Sequence, residues 1–165
     1  MKRFYLYGIG LLILAAFGVT GIVLAAGKDG LRQVRDATRR YRSVQAAEKV
    51  GYALLPGLDH CFDNPGVGAM GYHYINPALL DTRLDPLQPE TMVYSRVGGR
   101  LKLGAVEYIV PLAAWEAEGN RHPPEVLGQH LHLNEALGVY VLHAWIWNGN
   151  PAGVFEDWNP RVSCP

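Results

Sequence analysis

The sequence predicts an α+β fold: an N-terminal membrane or signal segment, an amphipathic helix, and then an antiparallel sheet or partial barrel closed by one disulfide. Three observations lead there. Residues 4–27 carry no ionisable side chain except Tyr5 and Tyr7, residues 31–50 repeat apolar positions every three or four, and beyond residue 50 the period shifts toward two while Gly and Pro recur. The organisation that follows is a signal peptide or signal anchor over 1–27, a basic amphipathic helix packed on the domain over 28–50, and a single disulfide-closed, sheet-rich domain over 51–165.

The first segment follows Lys2 and Arg3 and is long enough to cross a bilayer core as a helix. Positive charge before it keeps the N-terminus inside and sends the rest across. Val23 and Ala25 suit a cut before Ala26, but the apolar run is longer than a usual signal core, which favours an uncleaved anchor. The chain is therefore expected to be extracytoplasmic, in the periplasm or on the outer face of the cytoplasmic membrane, with the membrane itself as a partner. In that compartment two cysteines, Cys61 and Cys164, have a single intramolecular pairing open to them, and oxidation is the default outcome.

In "LRQVRDATRRYRSVQAAEKV", Val34, Ala37, Tyr41, Val44 and Ala47 form an apolar stripe beside Arg32, Arg35, Arg39 and Arg42. Lys28 to Lys49 holds seven basic and three acidic residues, whereas residues 50–165 hold six basic and twelve acidic. A basic helix packed on an acidic domain is the simpler reading of that division, contact with anionic headgroups the other. The formal net charge is zero, so no field for nucleic acid is present and no nucleic-acid partner is expected.

"TMVYSRV", Gly98-Gly99 and "RLKLGAVEYIVP" predict a hairpin, because paired glycines supply the positive φ angles of a tight turn. "GYHYIN" and "GQHLHLN" are shorter strand candidates. Leu137 to Trp147 is apolar on both alternating faces, which predicts a strand in the sheet interior with His143 on the face of Trp145 and Trp147. Asn-Pro occurs at residues 64–65, 76–77, 150–151 and 159–160, where Asx turns and the missing Pro donor would end strands.

No nucleophile elbow, phosphate loop, haem-attachment pair or metalloprotease helix occurs, and histidine is the remaining chemical signal. His130 and His132, two apart on one strand face, could share a Zn or Cu ion. His73, with Met70 nearby, and His143 are further metal candidates. Glu107 lies in an apolar strand and needs a partner if buried, so His73, His143 and Glu107 could form one polar network. If His143 instead lines a cavity, Trp145, Trp147, Tyr72 and Tyr74 would wall a small-ligand pocket with a polar anchor. The functional expectation is an exported envelope module that binds a transition metal or small ligand. Its alternatives are a metal-dependent hydrolase or oxidoreductase that uses the same histidines with Glu107 as proton acceptor, and a purely structural or protein-partner domain.

The stretches "GAMGYHYINPALL", "VEYIVP" and above all "LHAWIWNGNPAGVFEDWNPRVSCP", with its pattern HxWxWxxNPxGxFxxWNPxVxC, resemble an uncharacterised family of small exported bacterial proteins. The resemblance implies a single exported bacterial domain. It carries no activity, ligand or catalytic residue to transfer.

Overall fold

The computed structural model describes residues 27–165, so the export segment expected over 1–27 lies outside the described residues apart from Gly27. Among the described residues no helix is long and apolar enough to cross a membrane. The chain runs α1 (Lys28–Thr38), a 3-10 turn (Arg39–Arg42), α2 (Val44–Glu48), β1 (Phe62–Asn64), β2 (Gly68–Ile75), β3 (Thr91–Val97), β4 (Arg100–Pro111), α3 (Leu112–Ala117), β5 (Glu125–Val126), β6 (Gln129–His130), β7 (His132–Asn134) and β8 (Val139–Ala144). Six strands form one antiparallel sheet in the order β1-β2-β3-β4-β8-β7, curled into a half barrel, and β5 and β6 form a separate pair.

The hairpin of β3 and β4 turns at Gly98 and Gly99, whose φ values of 58° and 76° suit a two-residue turn that matches strand twist. Gly71 is required by a close approach. A Cβ there would sit 2.3 Å from the Tyr94 carbonyl oxygen, so only a bare α-carbon lets β2 lie against β3. β8 lies between β4 and β7 and takes in six residues, Val139–Ala144, of the Leu137–Trp147 run.

The two sheet faces differ in what covers them. Tyr74, Met92, Tyr94, Val106, Tyr108 and Leu142 point to the side covered by Val34, Tyr41, Val44 and Ala47 of the N-terminal helical segment. The opposite face carries two small apolar clusters, Ile75, Ile109 and Val141 at one end and Ala69, Val93, Ala105, Trp145 and Val162 at the other. His73, Glu107 and His143 fall between these clusters: Glu107 and His143 are each two residues from a member of both, and His73 is two from Ile75 and paired with Val93.

The single helix expected over residues 28–50 is broken. The Tyr41 carbonyl accepts a 2.6 Å hydrogen bond from the Tyr94 hydroxyl, and Ser43 is extended at φ −93° and ψ 122°. The extended Ser43 takes the backbone out of helical geometry and ends the ladder there, and the Tyr94 hydroxyl supplies the Tyr41 carbonyl with a partner. The bend lets Tyr41 and Val44 both reach the sheet, where each is buried.

The disulfide joins Cys61 to Cys164, closing a loop with a sequence separation of 103. It ties the start of the sheet region to the C-terminal tail and points to an oxidising, extracytoplasmic compartment. Three of the four Asn-Pro pairs form Asx turns: the side-chain oxygens of Asn76, Asn150 and Asn159 accept from the backbone N–H of Ala78, Ala152 and Arg161.

Candidate metal centre

Strand pairing brings the centre together. Glu107 of β4 stands directly opposite His143 of β8, while His73 approaches from β2 across β3. All three side chains are buried, and their ligand atoms lie within 4.8 Å of one another. The two imidazoles meet through Nε2 atoms 3.2 Å apart, and each Nε2 is 3.7 Å from a carboxylate oxygen of Glu107. The carboxylate is thus aimed at both rings but too distant to hydrogen-bond either. Two nitrogens each about 2.05 Å from a tetrahedral ion stand about 3.3 Å apart, so the imidazole spacing fits shared ligation, and the carboxylate would have to close by a few tenths of an ångström.

Asp157 completes the arrangement from the irregular segment after β8. Its Oδ1 is 3.1 Å from His143 Nδ1 and its Oδ2 is 3.1 Å from His132 Nε2. Burial opposes its ionisation, but the hydrogen bond from His143, then the charges of His143 and His132, outweigh that and hold the carboxyl below its usual range. An ionised carboxylate only accepts, so His143 Nδ1 carries the proton and Nε2 is the atom presented to the centre. A carboxylate that fixes the tautomer of a histidine in this way is the usual outer support of a metal-bound imidazole.

The centre's electrostatics in the absence of a metal are those of a frustrated cluster. For His143, burial disfavours the imidazolium, but the Glu107 charge, with the Asp157 hydrogen bond and charge, wins and raises its pKa. Burial, reinforced by the neighbouring His143, holds His73 down to about 3. Glu107 is raised by burial, only partly offset by His143. His73 Nδ1 has no hydrogen-bond partner of good geometry among the described residues; the Gly71 carbonyl nearby offsets little of its depression. A bound cation would neutralise these conflicts together by favouring two neutral imidazoles and an ionised carboxylate.

A cleft of about 400 Å³ opens over the three groups. Its walls are largely aliphatic, with Leu55, Leu58, Ile75, Leu80, Ile109, Val139 and Val141, and its polar margin holds His132, Asn134 and Asp157. The site therefore lies at the floor of a cavity rather than in closed core.

Of the residues singled out by sequence, the structure brings together His73, Glu107 and His143 and separates the rest. His130 and His132 do not share a strand face: they belong to β6 and β7 of different sheets, His130 is exposed, and the intervening Leu131 is buried. Chain direction changes between them to bury that leucine, and only His132 reaches the centre's margin. Met70 lines the cleft. Tyr72 and Tyr74 do not wall it, because alternation along β2 sends both to the face opposite His73, where they join the helix-covered core. Trp145 is buried beside the site, its ring stacked at 15° and 6.4 Å from His143 and its Nε1 donating to the Glu156 carbonyl, so it supports the histidine rather than lining the cleft. Trp147 turns to the other face once β8 has ended, donates from Nε1 to Thr38, and lies under Arg35 at 4.5 Å.

Asp157 is the participant the sequence reading missed. It lies in "GVFEDWNP", which has neither helical nor strand period; its signal was a short acidic pair between aromatics, which specifies no face. No family model, curated protein or solved structure matches the chain.

Proposed function

We propose that this protein is an exported envelope module that binds one divalent transition metal, zinc before copper, through His73, Glu107 and His143. The observation that carries the reading is the convergence of two Nε2 atoms and a carboxylate at the floor of a cleft, with the outward nitrogen of His143 already held by Asp157. Two imidazoles and a carboxylate without sulfur favour zinc over the softer preference of copper(I). Its place outside the cytoplasm, anchored or released by the N-terminal segment, agrees with the disulfide, and the family resemblance of the C-terminal stretch belongs to the same reading.

The test is elemental analysis of protein purified without a histidine tag, before and after dialysis against zinc. One metal per chain, lost in His73→Ala and in His143→Ala while each variant stays folded, is the expected result. A wild type that takes up no zinc, copper or cobalt would overturn the proposal and leave the cluster as buried polar packing.

One observation favours a second reading, a metal-dependent hydrolase: three protein ligands leave zinc an open position, and the cleft gives access to it. Glu107 is then occupied as a ligand, so the proton acceptor at the cleft margin is the Asp157–His132 pair. Turnover of a small ester or amide by the zinc-loaded protein, absent in His132→Ala with metal retained, separates the enzyme from the binding module.

A further inference from the structure

The cleft above the centre is strongly asymmetric. Its polar floor of His73, Glu107 and His143 is flanked along β7 by His132 and Asn134, whereas the other walls, including Ile75, Leu80, Ile109 and Val141, offer no hydrogen bond from a side chain. Leu137, at 52 % exposure one of the largest uncovered apolar residues, extends the aliphatic surface to the rim. A small hydrophilic metabolite would leave these walls unmatched, and an all-apolar ligand would leave the polar floor unpaired.

Resting on the metal reading above, we propose that the ligand of this site is an amphiphilic carboxylate: its head takes the open position on the metal and an unbranched aliphatic tail fills the cleft. Asn134 stands opposite Val139 and its Oδ1 accepts from the Leu137 N–H, while His132 Nε2 is engaged by Asp157, so the choice of head rests on the open metal position. At about 30 Å³ per water-sized group, the cleft holds a chain of roughly a dozen heavy atoms. That number of atoms matches a medium-chain fatty acid rather than a membrane-length acyl chain.

The experiment uses the full exported chain loaded with cobalt(II), whose visible spectrum reports a new oxygen ligand, titrated with octanoate, acetate and 1-octanol. Octanoate is expected to change the spectrum and to bind at least roughly tenfold tighter than acetate, since the tail buries several methylenes, while 1-octanol leaves the spectrum unchanged. Leu137→Trp at the rim and Val141→Phe in the wall should weaken octanoate but not acetate, with cobalt content unaltered; the rim variant serves if the wall variant fails to fold. Equal affinity for acetate and octanoate in cobalt-loaded protein overturns the inference and leaves the metal reading standing. So does octanoate binding equally well to metal-free protein, which would make the cleft a simple apolar site. Failure to take up cobalt at all overturns the metal reading first and this inference with it.

Discussion

Asp157 and His143 are joined by a 3.1 Å contact from Oδ1 to Nδ1 that sets which face of the imidazole the protein offers to its own cavity. The same carboxylate also contacts His132, so one acidic side chain links a half-exposed ring at the margin to a buried ring at the floor. Asp157→Asn keeps the shape but lets the amide present an N–H to Nδ1, which removes the preference for the Nε2-ligating tautomer. We expect metal affinity to fall about 10–100-fold, the range for loss of an outer-shell partner, while His143→Ala abolishes stoichiometric binding. Competition against a chromophoric chelator measures both. An Asp157→Asn protein with undiminished affinity would mean that the contact holds the loop alone.

How the site was legible follows from this pair. Period-two alternation placed His143 on an interior face and marked Glu107 as a buried carboxylate in need of a partner, so the sheet's contribution could be read from local sequence. Their direct opposition depends on β4 and β8 pairing across a loop that contains α3 and three short strands, and no local pattern fixes that register. Asp157 was harder still, since an irregular segment has no period to assign its faces. The paired glycines at residues 98 and 99 located the hairpin because they dictate backbone angles directly. The break after Tyr41 was invisible because the group that pairs with its carbonyl there, the Tyr94 hydroxyl, lies 53 residues away.

Tyr41 tests the N-terminal segment as part of the fold. Its ring is buried against Tyr52 at 5.3 Å and lies in the cluster with Tyr94 and Val34. Tyr41→Ala should cost about 3–5 kcal/mol, the range for removal of a packed aromatic, whereas a solvated linker residue would change stability by about 0.5 kcal/mol or less. Chemical denaturation of the two proteins decides it, and an unchanged midpoint would show that the helical segment does not stabilise the sheet.

Reduction tests the closure. A loop of about 100 residues held by Cys61 and Cys164 should stabilise the fold by up to roughly 4.7 kcal/mol through restriction of the unfolded chain. Intact protein isolated from the envelope should lack two hydrogens by mass, and the Cys61→Ser/Cys164→Ser double variant should unfold at markedly lower denaturant. Two free thiols in the isolated protein would contradict both the bond and the oxidising compartment.

Glu90 gives the pH dependence. It is buried at the end of the β2–β3 connection, accepts a 3.0 Å hydrogen bond from the Ile109 N–H, and burial pushes its carboxyl up to about 8 against the hydrogen bonds that favour ionisation. The folded pKa is therefore above the unfolded value, so the unfolded chain releases this proton first as pH rises. The contribution to stability is complete below the unfolded carboxylate pKa, about 4.3, and is lost as pH climbs to about 8, at a slope of up to about 1.4 kcal/mol per pH unit. Glu90→Gln keeps an acceptor for Ile109 and has no proton to lose, so the variant should gain on the wild type steadily between those limits and run parallel to it outside them. Denaturation midpoints at pH 4, 6 and 8 provide the comparison. A constant difference between the two proteins across that window would mean that Glu90 is ionised in the folded state throughout, held by the Ile109 N–H more strongly than burial opposes it.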